Sequence, residues 1–310
     1  MPMTATNLAD DAIREDICTF LSDFTAETTP FSAAKIDDFR NVLRPGTTVY
    51  VTFLPGTDFA ETLTVTKRLK DEGMRPVPHI AARSVPDKAF LDDNLNKLTA
   101  EAGIDEVLII GGAVDRPVGA FSDSMQIMET GLLDKYGINK IGVAGHPEGS
   151  PDITDEGIRD ALQWKNAFAA RTGAELYVVT QFCFEADPII AWDKMIQAEG
   201  NKLPIRIGVP GLATIKTLLN YAKACGVGQS MNFLKRQAKN VTKLMKVSEP
   251  DAEVTALARY RATDPNCGIT GVHMYPLGGL KKTAKWTYAV IDGHFDMTKD
   301  GAGFQVNIEL

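Results

Sequence analysis

Short apolar runs alternate with amphipathic segments along most of the chain. Several runs, such as VLII at 107–110 and YVV at 177–179, consist almost entirely of large apolar residues. Runs of this kind are typical of parallel strands that are buried on both faces of a sheet. The pattern predicts eight strands, at residues 23–29, 47–54, 75–81, 105–112, 139–145, 175–182, 204–209 and 268–275.

The amphipathic segments between these strands predict helices, at residues 57–73, 86–103, 154–172, 187–199 and 212–225. Strand–helix units spread evenly over 310 residues predict an α/β fold of the (β/α)8 TIM barrel type, forming one catalytic domain over residues 1–310. Residues 226–266 exceed the length that one crossover needs and predict extra helices before the last strand. The alternative, an open doubly wound sheet, usually carries GxGxxG after its first strand, and this chain has no such motif.

Composition and charge exclude several classes of function. A net charge of −7 provides no basic field for a nucleic-acid backbone. The acidic N-terminus lacks the apolar core of a signal peptide, and no apolar run is long enough to span a bilayer. The four cysteines are far apart, which predicts neither a disulfide framework nor a zinc site. We therefore expect a cytoplasmic protein that binds no metal, no nucleic acid and no membrane.

Polar side chains occur where the predicted strands end, which is where a (β/α)8 barrel carries its catalytic groups. Three of the four histidines fall on this predicted rim, and that convergence indicates a ligand site. Each candidate also has an ordinary structural explanation, because a strand histidine can be a hydrogen-bonded core residue and Asp115 can form an Asx-turn. The candidates are Glu27, Thr52, His79, Asp115, His146, Glu148, Thr180, Gln181, His273 and Tyr275.

The order of motifs along the chain resembles the methylenetetrahydrofolate reductase family. VTQFCFE, which contains Gln181, is the most specific of these motifs. The others are TAETTP, VTFLPG, PHIAARS, VDRPVG, AGHPEGSP, DALQWKNAFAARTGA, VPGLATI and HMYPLG. The resemblance covers nearly the whole chain and implies a minimal bacterial-type, FAD-dependent member of the family.

The resemblance implies a flavoprotein that interconverts 5,10-methylenetetrahydrofolate and 5-methyltetrahydrofolate, a reaction of one-carbon metabolism that serves methionine biosynthesis. Its implied catalytic residues are Glu27, which gives a proton to the folate, and Asp115. The residues implied to bind FAD are Thr52, His79, Asp115, Ala144, His146, Asp160, Gln163 and Lys165. Those implied to bind substrate are Glu27, Gln181, Leu218 and Tyr275. Tetrahydrofolate derivatives, NADH or NADPH, and further copies of this chain in a homo-oligomer are the expected partners.

Four positions depart from the family pattern around the ligand stack. Thr28 and Thr29 replace paired aromatic residues, and His146 replaces a tyrosine. Leu218 replaces an aromatic residue that in the family helps to stack nicotinamide and folate. These departures leave open a methyltetrahydrofolate-oxidising homologue with a non-nicotinamide electron partner. A non-catalytic folate- or flavin-binding barrel is the third alternative, against which the retained catalytic residues argue.

Overall fold

The computed structural model describes residues 5–225 and 244–310 and contains a closed eight-stranded barrel. The order around the barrel is β1-β10-β7-β6-β5-β4-β3-β2. These strands are β1 (Thr25–Thr28), β2 (Thr48–Val51), β3 (Arg75–Ala81), β4 (Glu106–Ile110), β5 (Lys140–Gly145), β6 (Glu175–Phe182), β7 (Ile205–Pro210) and β10 (Ile269–Tyr275). The predicted (β/α)8 fold is confirmed.

Helices lie between the barrel strands, and two small antiparallel sheets accompany them. The helices are α1 (Ala5–Leu21), α2 (Pro30–Ala33), α3 (Phe59–Asp71), α4 (Lys88–Ala102), α5 (Ser124–Met128), α6 (Leu132–Lys135), α7 (Asp155–Thr172), α8 (Ala186–Ala198), α9 (Ile215–Ala224), α10 (Asp251–Thr263) and α11 (Leu280–Ile291), with 3-10 turns at Phe39–Asn41 and Ala82–Ser84. The small sheets pair β8 (Ala213–Thr214) with β9 (Val247–Ser248), and β11 (Phe295–Met297) with β12 (Phe304–Val306). Within the described ranges, no helix is both long and apolar enough to cross a membrane.

The predicted extra helices before the last barrel strand are present in part. Helix α10 lies between α9 and β10, as the length of that segment predicts. Residues 226–243 of the same prediction lie outside the described residues.

Local sequence signals explain where the helices begin and end. Asp87 precedes α4, and its carboxylate accepts a hydrogen bond from the Phe90 N–H at 2.8 Å, which satisfies one of the free donors of the first turn. Gly103 ends the same helix with φ of 59°, a left-handed conformation that glycine adopts without steric cost. Because these caps lie just inside the predicted range, α4 is slightly shorter than its hydrophobic pattern indicates.

The chain forms two compact units, each with its own apolar cluster. Unit 1 comprises Met1–Phe24, His146–Ile158 and Thr180–Leu310, and unit 2 comprises Thr25–Gly145 and Arg159–Val179. The cluster in unit 1 consists of Phe182, Phe184, Ala213, Leu218 and Ala222. The cluster in unit 2 consists of Tyr50, Val77, Leu108, Tyr177 and Val179. The single catalytic domain over residues 1–310 stays a prediction.

A buried chain of polar groups crosses the apolar interior of unit 2. The hydroxyl groups of Tyr50 and Tyr177 lie 2.7 Å apart, and Tyr177 donates to Glu106 Oε1 at 2.7 Å. Lys140 Nζ donates to the other Glu106 oxygen at 3.1 Å. Burial, together with the neighbouring Tyr50 and Glu106, raises the pKa of Tyr177 far above its ordinary value. A side chain at Gly142 would lie 2.9 Å from the Tyr177 ring, so glycine there makes room for the tyrosine.

Candidate functional site

Glu27 and Thr52 are brought together at the ends of two adjacent strands. Glu27 is the third residue of β1 and is half-buried, and Thr52 directly follows β2. The Thr52 N–H donates to Thr28 O at 2.9 Å, which extends the pairing of the two strands by one residue. Thr52 Oγ1 then donates to Glu27 Oε2 at 3.3 Å. The hydroxyl of Thr52 therefore contacts the carboxyl group that the motifs single out as the acid.

His79 lies deep in β3 rather than at its end. The imidazole is buried and meets the Tyr50 ring edge-on, with ring centroids 5.9 Å apart. It also lines a narrow, mostly apolar crevice with Phe53, Phe59 and Phe90. The assignment of His79 to FAD binding stays a prediction, and in this structure its surroundings are those of a packed core residue.

Asp115 lies in the loop of residues 111–123, which joins β4 to α5, and its side chain is exposed. Two glycines set the path of this loop. Gly112 has φ of 94°, in the region that favours glycine. Gly119 approaches Pro86 so closely that a Cβ would lie 1.7 Å from the Pro86 carbonyl oxygen. The glycine at the end of the VDRPVG motif is therefore required for the loop to pack against the segment that follows β3.

Lys165 is a buried cation on α7, with 5% of its surface exposed. Its ammonium group donates to the Ala144 carbonyl oxygen in β5 at 3.3 Å. Burial lowers the pKa of Lys165 to about 8, and Asp123 opposes the shift only partly. On the same helix, Asp160 and Gln163 are exposed. The structure thus places Lys165 against the backbone of another predicted FAD-binding residue, Ala144.

Two of the predicted ligand-binding residues, His146 and Gln181, lie in unit 1 at or near the ends of barrel strands. His146 directly follows β5 and is half-buried, and its carbonyl accepts from the Gly149 N–H at 3.1 Å in a turn. Gln181 lies near the end of β6, where its Oε1 accepts from the Phe182 N–H at 3.1 Å. Among the described residues the Nε2 amino group of Gln181 has no partner, so it can donate to a ligand.

Tyr275 and Leu218, both predicted to bind substrate, are parts of the apolar surroundings in unit 1: Leu218 belongs to the cluster, and Tyr275 packs against it. The Tyr275 hydroxyl donates to Thr180 O at 2.8 Å, and its ring meets the Phe182 ring at a centroid distance of 5.1 Å. Leu218 is only 2% exposed and belongs to the same cluster. Both assignments stay predictions, and Leu218 fills the core in this structure.

A buried acid that sequence reasoning missed lies in the first turn of α10. Glu253 is 6% exposed, and among the described residues its Oε1 has no hydrogen-bond partner. Burial, with a smaller contribution from Glu148, raises its pKa well above 4.5. Burial, with smaller contributions from Glu148 and Glu253, also raises the pKa of the Cys183 thiol. Acidic residues are common in the first turn of solvated helices, so the sequence carries no signal that this one is buried.

Comparisons with known proteins agree with the motif order. A model of the methylenetetrahydrofolate reductase family matches residues 32–288. Methylenetetrahydrofolate reductase 2 of Saccharomyces cerevisiae is 26% identical over 165 residues, which are 51% of this chain and 26% of the yeast protein. Methylenetetrahydrofolate reductase 1 of Schizosaccharomyces pombe is 34% identical over 115 residues, which are 36% of this chain and 18% of that protein. The aligned segments thus span about a quarter or less of these relatives' own length.

Among solved structures, the chain is similar to an uncharacterized protein from Clostridium thermocellum that binds two copies of 5-methyl-5,6,7,8-tetrahydrofolic acid. The TM-score is 0.50 at 13% identity, and the alignment covers 87% of this chain and 92% of that one. At this identity the likeness bears on the fold alone. The family model, by contrast, covers well over half of the sequence, and this chain therefore belongs to the methylenetetrahydrofolate reductase family.

Proposed function

We propose that this chain is an FAD-dependent oxidoreductase that interconverts 5,10-methylenetetrahydrofolate and 5-methyltetrahydrofolate. The observation that carries the proposal is the contact between Thr52 and Glu27 at the ends of two adjacent barrel strands. A carboxyl group there is the proton donor that opening of the folate one-carbon ring requires. Membership of the methylenetetrahydrofolate reductase family supports the choice of folate as substrate.

The residues of unit 2 fit FAD, and the buried cation Lys165 is the strongest reason. A buried ammonium group whose pKa is lowered by desolvation is stabilised by an anion, and the FAD diphosphate supplies one. Asp160 and Gln163 are exposed on the same helix and offer polar groups to the rest of the dinucleotide. When bound, FAD supplies hydride transfer to or from the folate one-carbon unit.

The protein's own contribution to the reaction centres on Glu27. In the reductive direction Glu27 donates a proton to a ring nitrogen of methylenetetrahydrofolate, and the five-membered ring opens. Thr52 holds the carboxyl group in place for this transfer through its hydroxyl. General acid catalysis of this kind typically contributes a factor of roughly 10²–10⁴.

Two further side chains hold the folate and its charge. Gln181 presents its Nε2 donor to the acceptor groups of the pterin ring. Asp115, on the loop after β4, stabilises the positive charge that develops on the one-carbon unit as the ring opens. Both roles are proposals that follow from the positions of these residues within the family motifs.

Replacing Glu27 with Gln tests the proposal directly. The enzyme is reduced with dithionite and mixed anaerobically with methylenetetrahydrofolate. Reoxidation of the flavin is followed by its absorbance at about 450 nm. We expect Glu27→Gln to fold and bind FAD but to reoxidise roughly 10²–10⁴-fold more slowly, because an amide is too weak an acid to protonate the folate. Glu61→Gln, on the exposed surface of α3, is the matched control. Full folate turnover by Glu27→Gln would exclude the role.

The second candidate is a homologue that oxidises methyltetrahydrofolate and passes electrons to a partner other than nicotinamide. Thr28 and Thr29 have no aromatic ring on which nicotinamide could stack. Thr28 is buried, and Thr29 caps α2 by accepting a hydrogen bond from the Ser32 N–H at 3.1 Å. Phe31, which is 70% exposed, offers a ring on the adjacent helix α2. Anaerobic mixing of oxidised enzyme with NADH, NADPH or methyltetrahydrofolate separates the candidates. Efficient reduction by methyltetrahydrofolate alone favours the second, and rapid reduction by micromolar NADH favours the first.

A further inference from the structure

We propose that Arg83 is a positioning residue that holds the loop of residues 111–123, and with it Asp115, in the arrangement that the folate reaction requires. Arg83 lies in the 3-10 turn Ala82–Ser84, directly after β3, and is half-buried. The catalytic part of this inference rests on the function proposed above, whereas the anchoring of the loop does not.

The guanidinium group of Arg83 bonds to two separate points of the loop. Its Nε donates to the Ser122 carbonyl oxygen at 3.0 Å, close to the start of α5. Its Nη1 donates to the Val114 carbonyl oxygen at 3.5 Å, and Val114 is the residue directly before Asp115. One side chain therefore connects the position next to the catalytic aspartate with the far end of the same loop.

The backbone of Arg83 adds two further contacts. Its N–H donates to Gly111 O, and its carbonyl oxygen accepts from the Val118 N–H, both at 2.9 Å. The four contacts are distributed from the beginning of the loop to its end. The two backbone contacts do not depend on the side chain, so replacing Arg83 with alanine or lysine changes the side-chain anchors and leaves the backbone pairing in place.

The chemistry of arginine suits this position better than that of lysine. The planar guanidinium group has donors in a rigid fork and can reach two carbonyl oxygens at once. An ammonium group is a compact point charge on a flexible chain, so it would hold one of the two carbonyls at a time. Because ordering a loop costs conformational entropy, the position of Asp115 depends on anchors of this kind.

Hydrogen exchange measured by mass spectrometry on the purified protein tests the anchoring without any reaction or cofactor. We expect peptides within residues 111–123 to exchange roughly tenfold faster in Arg83→Ala, since two charged hydrogen bonds contribute at least that factor to loop opening. Arg83→Lys should be intermediate. Arg40→Ala is the control, because the guanidinium group of Arg40 pairs with Asp38 instead. Unchanged exchange in Arg83→Ala would overturn the inference.

Reoxidation of the reduced enzyme by saturating methylenetetrahydrofolate tests the catalytic part. Arg83→Ala should lower kcat more than it raises KM, since it displaces a group that acts on the reacting charge. In an Asp115→Asn background the same substitution should cost little, because the group that Arg83 positions is already disabled. If the two losses simply multiply, Arg83 does not act through Asp115. A wild-type enzyme without folate turnover would refute the proposed function and this catalytic role, while exchange would still decide the anchoring.

Discussion

Glu106 in unit 2 and Glu253 in unit 1 are equally buried, at 6% exposure, yet their surroundings are opposite. Glu106, at the start of β4, accepts from Tyr177 and Lys140 on its two oxygens. Glu253, in the first turn of α10, has an Oε1 without a hydrogen-bond partner among the described residues, and its pKa is raised. Burial alone therefore does not tell whether an acid stabilises the fold. Whether a buried acid stabilises the fold depends on how many hydrogen-bond donors lie within reach of its oxygens.

Lys165 belongs with Glu253 in this comparison. It is also deeply buried, and among the described residues its ammonium group donates to one carbonyl oxygen, that of Ala144. An under-compensated charge costs free energy, and such sites in proteins cluster where ligands bind or protons move. The family resemblance implies that Lys165 binds FAD, and that role is a proposal, whereas no motif assigns a ligand to Glu253.

The largest effect is expected when the well-partnered acid is removed. Glu106→Ala leaves the Tyr177 hydroxyl buried without its acceptor, so we expect the free energy of unfolding to fall by about 3 kcal/mol. Lys140 is partly exposed and adds little to this loss. Urea unfolding followed by circular dichroism measures the change. Wild-type stability in the variant would mean that the polar chain in unit 2 contributes no net free energy.

A smaller effect is expected when Lys165, the residue proposed to bind FAD, is replaced. Lys165→Met should weaken FAD binding by roughly 10–100-fold, because a charged hydrogen bond to phosphate is lost. Since the pKa of Lys165 is lowered to about 8, wild-type affinity should fall above pH 8, where the ammonium must first be protonated. Lys165→Met should lack that pH dependence. Titration of apoprotein with FAD at several pH values checks both points, and a pH-dependent variant would contradict them.

The smallest effect is expected when Glu253 is replaced, and here we expect the free energy of unfolding to rise rather than fall. The folded state raises the pKa of Glu253 above 4.5, so its cost is absent below that pH and grows as the pH rises toward the folded value. Glu253→Gln should therefore match the wild type near pH 4.5 and exceed its stability by about 1 kcal/mol at pH 8. Thermal midpoints across this range measure the difference. A variant that is less stable than the wild type at pH 8 would show that Glu253 has a stabilising partner.

Local sequence signals were sufficient for the elements of the barrel. The predicted strands at 75–81 and 175–182 coincide with β3 and β6, because runs of mostly apolar residues are typical of parallel strands that are buried on both faces. The N-terminal helix α1 and the hairpin of β11 and β12 were not predicted. Those segments mix polar and apolar residues, and their secondary structure can be assigned only when the surface that they cover is known.

For the candidate site, motif order identified residues, and only the tertiary structure showed what they touch. The contact of Thr52 with Glu27 joins residues on separate strands, and the anchoring of the Asp115 loop by Arg83 joins residues about thirty positions apart along the chain. Leu218 is an example of the converse, since its place in the family pattern indicates a ligand but its side chain fills a core. Hydrogen bonds and pKa values depend on which groups meet in space, and residue spacing along a chain does not specify that.

The amino-acid sequence on its own determined the fold class, the approximate positions of the eight barrel strands and the family, because hydrophobic periodicity and motif order are properties of the linear chain. The tertiary structure decided which polar residues are compensated. Glu106 and Glu253 both directly precede a valine in the sequence, so the local pattern does not distinguish them. Glu106 nevertheless receives donors from Tyr177 and Lys140, whereas Glu253 receives none from the described residues on Oε1. The reason is physical: a buried charge is stabilised by groups within hydrogen-bond distance, and those groups come from other elements of the fold.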